Sequence, residues 1–303
     1  MQKTILSTAD VARLFNVTET TVKRWADEGT LKCHKTPGGH RKFDVKYVVD
    51  FAERNDIEPS GTLSLGPSDV LGKATEVALL ARDYPALAGI FVEKALTPDD
   101  LDLYVFLSYL YEHKMHLWEI YDHVVRPGMA EIGARWAGGR IDVSDEHQAS
   151  AETLQALAKL QAEILVKPPV GGQALFACIG DEQHEIGLRC ASYLFQSEGW
   201  GVHYLGGRTP IEAIERRVDR LQPLAVCVSL SVCGAGASTE RSLARLAAVT
   251  SKQKCMLIVG GAGASAGLLE RGVCDAVVFS TRELIGLMSH MLDRKRNGTP
   301  RPA

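Results

Sequence analysis

Gln173-Ala174-Leu175-Phe176-Ala177-Cys178-Ile179-Gly180-Asp181-Glu182-Gln183-His184-Glu185-Ile186-Gly187 is the stretch from which the architecture can be read. Its apolar half reads as a strand over 175–179 that is buried on both faces, because no polar residue alternates with the apolar ones. The chain then turns polar at once. His184 falls on the loop after that strand, with Glu182 two residues before it and Gly187 three after. Downstream, short apolar runs recur at 202–205, 225–230, 256–259 and 276–279, separated by amphipathic stretches of helical period. Strands alternating with helices predict an α/β domain over residues 170–293, built on a five-stranded, doubly wound parallel sheet. Ligands of such sheets sit beyond the carboxyl ends of the strands. His184 lies there after the first strand, Ser229 and Ser231 after the third, and Gly260-Gly261 after the fourth.

Upstream the period changes. Apolar residues recur at three- and four-residue spacing in 70–81, 87–95, 101–111, 116–136 and 149–166, which predicts an α-helical bundle over 68–168. Thr97-Pro98-Asp99-Asp100 opens a helix with proline in its first turn, and Pro127 should bend or divide the fourth helix. Residues 56–67 gather proline, glycine and serine without periodicity and read as a linker that leaves the module before it mobile. Residues 294–303 read as a basic, disordered tail.

Residues 1–55 show a third pattern. Ser7-Thr8-Ala9-Asp10 forms a capping box before a helix that buries Val11, Leu14 and Phe15. Thr18 caps a second helix and Gly29 ends it. Segments 31–34 and 41–43 pair around Thr36-Pro37-Gly38-Gly39. Helix, turn, helix and hairpin is the order of a winged helix-turn-helix. Lys23, Arg24, Lys32, Lys35, Arg41, Lys42 and Lys46 outnumber Asp27, Glu28 and Asp44 between positions 23 and 46. That is the local asymmetry phosphate binding needs, in a chain whose net charge of -3 offers none globally. Thr20, Thr21, Lys23 and Arg24 are the candidates for the groove, His40, Arg41 and Lys42 those for the wing, and Trp25 is assigned to the core. The stretch from Ser7 to Phe43 resembles MerR-like and excisionase-like domains, which implies double-stranded operator DNA as partner.

Composition restricts the rest. The chain has 303 residues, is 46% hydrophobic and 23% charged, and has room for several globular domains. Its seven cysteines form no Cys-x-x-Cys pair, and no apolar run approaches a membrane span of roughly 18–20 residues. Reduced thiols in the cytoplasm, with no membrane partner, are the expectation. Gly261-Ala262-Gly263 looks like half a dinucleotide fingerprint, but it follows the fourth strand rather than the first. Cys33, His34 and His40 match no common zinc spacing.

Two clusters point to a cofactor. Glu182-x-His184-x-x-Gly187 after the first strand resembles the histidine loop of cobalamin-binding domains, whose sheet is flavodoxin-like and whose motif usually begins with aspartate. The resemblance implies His184 as the lower cobalt ligand, with Glu182 orienting its ring; a neutral imidazole nitrogen is a borderline-soft donor suited to cobalt. It further implies that Gly187, Ser229, Ser231, Gly260 and Gly261 line the cofactor's nucleotide tail. The second cluster is Trp136, followed after nine residues by Glu146-His147. In an unrelated bundle, such a tryptophan packs the interior and Glu-His simply starts a helix. With the first cluster, the spacing resembles the CarH-type adenosylcobalamin photoreceptors. That resemblance implies Trp136 against the adenosyl group, Glu146 on its ribose, and His147 as upper cobalt ligand after photolysis. The function implied is a light-responsive transcriptional regulator, a repressor rather than an enzyme, assembled as a homo-oligomer (a tetramer in the dark). The alternatives are a corrinoid methyl carrier of a methyltransferase system and a light-independent cobalamin-sensing regulator.

Overall fold

The structure, a computed structural model, describes residues 5–15, 17–36, 38–55, 57, 70–97, 102–230 and 237–297. The chain divides into two compact units, residues 1–114 with 123–146 and residues 115–122 with 147–303.

The first unit opens with β1 (Ile5–Ser7), α1 (Thr8–Leu14), α2 (Glu19–Asp27), β2 (His34–Lys35), β3 (Arg41–Asp44) and α3 (Val45–Asn55). The caps form as their residue types require. The amide of Ser7 donates to Asp10 Oδ2 (2.9 Å), and the Asp10 amide donates back to Ser7 Oγ (3.2 Å). Thr18 Oγ1 accepts from the Thr21 amide, and Gly29 takes a φ of +74°. The wing is a three-stranded antiparallel sheet in the order β1-β3-β2, so the expected hairpin gains a strand from residues 5–7. Three residues are too few to show an alternation in sequence. Leu6, Val11, Phe15, Val22, Leu31, Phe43, Val48 and Phe51 form the core. Trp25 packs on it, with its ring 4.9 Å from that of Phe51.

Six α-helices follow along the chain among the described residues, α7 and all but the start of α9 belonging to the second unit: α4 (Val70–Ala81), α5 (Tyr84–Leu96), α6 (Asp102–Glu112), α7 (Leu117–Ile120), α8 (Arg126–Ala137) and α9 (Val143–Glu163). Pro127 divides the fourth expected helix. A π-helical turn, Tyr121–Val125, separates α7 from α8, and the proline lies in the first turn of α8, directly after it. Val77 of α4 belongs to the core of the winged module, with Leu80 and Ala81 packed against it. The helical period of α4 identified a buried stripe but not its neighbour. The expected linker at 56–67 and the helix start at 98–100 fall almost entirely outside the described residues.

The second unit contains β4 (Gln173–Ile179), α10 (Ile186–Ser197), β5 (Gly201–Thr209), α11 (Ile211–Leu221), β6 (Ala225–Ser229), α12 (Ala237–Lys252), β7 (Met256–Gly260), α13 (Ala266–Glu270), β8 (Ala276–Val278) and α14 (Thr281–Asn297). The five strands are parallel in the order β5-β4-β6-β7-β8. Alternate residues of β4 serve two cores. Leu175, Ala177 and Ile179 pack with Ile214 and Val218 of α11 and with Leu243 and Leu246 of α12. Phe176 meets Phe195, which meets Trp200, edge to face. The last helix overturns the expected tail at its start, because Arg294 to Asn297 are helical. Leu284, Met288 and Met291 are buried at i, i+4 and i+7, and Lys295 Nζ donates to Gly171 O (2.6 Å), which carries the helix past the point where its charge density rises.

Candidate functional site

The chain leaves β4 towards the edge strand β5 and returns across β4 to β6, so a crevice opens at the carboxyl ends of β4 and β6. The loop 180–185 enters this crevice, and its shape follows from two glutamates. Glu182, whose side chain is 7% exposed, accepts both the His184 backbone amide (2.9 Å) and the His184 ring Nδ1 (2.6 Å) at one oxygen, Oε1. An ionised carboxylate can only accept, so this bond places a ring proton on Nδ1, and in the neutral imidazole Nε2 then carries the lone pair. The imidazole itself is 67% exposed. The carbonyl of His184 accepts from Cys178 Sγ (3.9 Å). Burial, and then the charges of Glu182 and Glu185, push that thiol up to about 12.

Glu185, which the motif did not single out, anchors the loop to β5. It accepts from Tyr204 Oη (2.8 Å) and from the Gly207 amide (2.7 Å), while the Arg208 amide donates to Glu182 O (2.9 Å). Burial, followed by the bond to Glu185, raises the Tyr204 phenol above its ordinary value. A side chain at Gly207 would reach within 2.9 Å of Glu185 Oε1, so the glycine pair 206–207 lets loop and strand close on each other. A signal for this was present in the sequence: a Gly-Gly pair at the end of an edge strand, opposite a polar loop.

The rim is small. Gly187 faces Ser229 Oγ, which lies 4.0 Å from where a Cβ would stand, and Ser229 is buried at the end of β6. Gly261 has a φ of +99°, and a Cβ there would overlap the carbonyl of Leu230. The Gly263 amide donates to that carbonyl (2.8 Å), so the β7 turn needs its glycine for folding whatever else it serves. Gly260 packs against Val278, and Ser231 lies outside the described residues.

The upper cluster sits on two helix ends. Trp136, in the last turn of α8, is 49% exposed, so it does not serve as bundle core. Glu146 is half-buried and His147 exposed in the first turns of α9. The cap of that helix is Asp142: its Oδ1 accepts the amides of Ser144 (2.7 Å) and Asp145 (3.0 Å). Those bonds, with the Ser144 hydroxyl first, hold the Asp142 carboxyl below the ordinary range.

On the winged module, Thr20, Lys23 and Arg24 are exposed along α2, and His40 is exposed at the wing tip. Thr21 is half-buried beside its capping partner Thr18. Arg41 is engaged within the fold. Its Nη2 donates to both oxygens of Asp27 (2.6 and 2.8 Å) and ties β3 to the end of α2. Lys42 is half-buried in β3, paired across to Ser7 and His34.

A helix-turn-helix domain model matches residues 5–56, and models described as B12 binding domains match residues 105–161 and 172–285. The transcriptional repressor CarH of Myxococcus xanthus is 31% identical over 157 residues, 51% of this chain and 50% of that protein. The CarA repressor of the same organism is 34% identical over 130 residues, 43% of this chain and 44% of that protein. Over the matched stretches the chain is similar in sequence to these two repressors. It spans about half the length of these relatives or less. The monomethylamine corrinoid protein of Methanosarcina barkeri shares the fold over 67% of this chain and 97% of its own, with a TM-score of 0.55 at 14% identity.

The residues at the crevice fit a corrin. Among the described residues no three His, Cys, Asp or Glu side chains gather to hold a metal ion. An exposed imidazole whose Nδ1 is held by Glu182 suits a metal whose remaining positions belong to a macrocycle. The glycines and Ser229 leave the neighbouring strand ends low.

Proposed function

We propose that this CarH-like chain is a cobalamin-dependent transcriptional regulator whose signal is light. The observation that supports this best is the Glu182–His184 pair at the switch point of the parallel sheet. In this reading His184 Nε2 is the lower cobalt ligand, and Glu182 keeps its ring oriented. Gly187, Ser229, Ser231, Gly260 and Gly261 border the nucleotide tail. Trp136 covers the adenosyl group, Glu146 accepts from its ribose, and His147 provides a second nitrogen donor for the upper side. When bound, adenosylcobalamin supplies a cobalt–carbon bond that visible light breaks.

Thr20, Lys23 and Arg24 enter the groove of double-stranded operator DNA, with His40 and Lys42 on the backbone at the wing. Thr21 and Arg41 act by positioning, through the α2 cap and through Asp27. Assembly in the dark as a homo-oligomer, in this reading a tetramer, would join several weak modules through effective concentration. In this reading the chain acts as a regulator rather than as an enzyme.

The test is a gel shift on the promoter fragment upstream of the chain's own gene, with adenosylcobalamin, in the dark and after green light, recording absorbance throughout. Dark binding lost on illumination, with a spectral change, is expected. His147→Ala should keep the dark spectrum and lose the stable photoproduct. A bound corrin whose illumination leaves the shift unchanged would make the chain a light-independent sensor. No corrin spectrum with wild type would refute the role of His184.

A further inference from the structure

A cavity of about 430 Å³ opens between the edge strand β5 and α11, lined by residues other than those assigned to the cofactor. Leu205, Arg208, Ala213, Arg216, Arg217 and Arg220 contribute to its lining. Positions 213, 216, 217 and 220 follow the i, i+3, i+4, i+7 rule, so three arginines and one small residue share a single stripe of α11. Arg208 faces them from the end of β5, where its φ is +51°. All four arginines are exposed, and none makes a side-chain hydrogen bond or close ion pair among the described residues.

The carboxylates of the same helix are turned elsewhere. Glu212 and Glu215 are bonded to Arg245 of α12 (3.0 and 2.8 Å), and Asp219 accepts from Gln253 Nε2 (3.2 Å). Arg216 adds its charge to Glu212 only at longer range. The positive stripe is therefore left uncompensated beside a concave wall. The field reaches His203, whose imidazole is held below its ordinary value by burial and then by the charge of Arg217.

We propose that this cavity is an anion site that takes a phosphate-bearing ligand of diphosphate size. Guanidinium groups present paired N–H donors in a rigid fork that matches phosphate oxygens, and several converging forks favour a multiply charged group over a carboxylate. The volume lies within the range of small-molecule pockets, in an open cleft rather than an enclosed one. Ala213 supplies the room between the arginines. The site also adjoins the histidine loop, because Gly207 and Arg208 donate their backbone amides to Glu185 and Glu182. The site does not depend on the cofactor reading, since it uses other side chains and no corrin.

The test uses the full chain and sodium pyrophosphate as probe, by calorimetry at low salt. Saturable binding of one pyrophosphate per chain is expected. Arg216→Ala with Arg217→Ala should weaken it at least about tenfold, the least that losing either of two charge-assisted contacts would cost, while Lys252→Ala, an exposed cation of α12, leaves it unchanged. Arg208→Ala is the second variant, on a different element, and should weaken binding in the same direction. Equal affinity in wild type and all arginine variants overturns the proposal. So does an absence of heat in wild type. In that case a non-operator duplex whose affinity falls in the double variant assigns the cluster to nucleic acid, and a change of molecular mass in the double variant assigns it to an acidic face of a second copy.

Discussion

Replacing Asp122 by alanine should loosen the second unit at one identifiable place. This side chain, 5% exposed, lies in the π-helical turn after α7, and its two oxygens accept the amides of Thr281 (2.7 Å) and Arg282 (3.1 Å) at the start of α14. The two bonds close a separation of about 160 residues in sequence. A hydrogen bond to a charged group contributes roughly 1.5–3 kcal/mol, and an anion at a helix N-terminus adds about 0.5 kcal/mol. Thr281 is half-buried and Arg282 exposed, so their amides partly rehydrate once the carboxylate is gone. The expected net loss is therefore about 3 kcal/mol for Asp122→Ala. Asparagine keeps the shape and one acceptor and should cost about 1 kcal/mol. With a urea slope near 1.5–2 kcal/mol per molar for a unit of this size, the midpoints should fall by about 1.5–2 M and about 0.5 M. Hydrogen exchange of the intact chain across a urea series, read on peptides of β4, α10 and α14, reports this unit alone. A change below about 0.5 kcal/mol for alanine, or equal effects of alanine and asparagine, would show that the carboxylate does not hold the helix.

Gly261→Ala should destabilise the same unit by about 2–3 kcal/mol, since a left-handed φ and a clash with the Leu230 carbonyl act together; calorimetry should show a melting temperature lower by roughly 5–10 °C. Arg41, first through its hydrogen bond, holds the Asp27 carboxyl below the ordinary range. A depressed folded-state pKa stabilises above the unfolded value and is lost as pH falls through the depressed one, so the wing should loosen only below about pH 4. Exchange protection of peptides 24–44, compared with Arg41→Ala near pH 6 and pH 3, checks this: the variant should differ from wild type at the higher pH and converge with it at the lower. Burial raises the thiols of Cys190 and Cys227 as well as that of Cys178, so iodoacetamide near pH 8 should modify half-buried Cys33 first among the described cysteines and spare those three in the folded chain, as read by mass spectrometry.

Much of the fold was legible because it is encoded locally. A capping box needs only Ser7 and Asp10, a helix break only Pro127, and a two-faced strand only the seven residues of β4. The histidine loop was legible for the same reason, since Glu182 and His184 stand two residues apart and one carboxylate can serve both the amide and the ring. The extent of α14 was misread at Arg294, where a run of charge suggested disorder although buried Met288 and Met291 carry the helix onward.

Contacts between residues far apart in sequence were decided by the tertiary structure alone. The periodicity of α4 marked an apolar stripe, but only packing showed that Val77 completes the winged module. Arg41 read as one more cation until Asp27 was found against it, and Asp122 had no visible purpose without the amides of α14. Glu185 looked like a spacer in the motif until β5 brought Tyr204 and Gly207 to it. The four arginines at 208, 216, 217 and 220 became one site because β5 lies at the sheet edge and α11 turns its carboxylates towards α12. Periodicity states that a face is buried or charged; the partner of that face depends on long-range packing, which no short stretch of sequence contains.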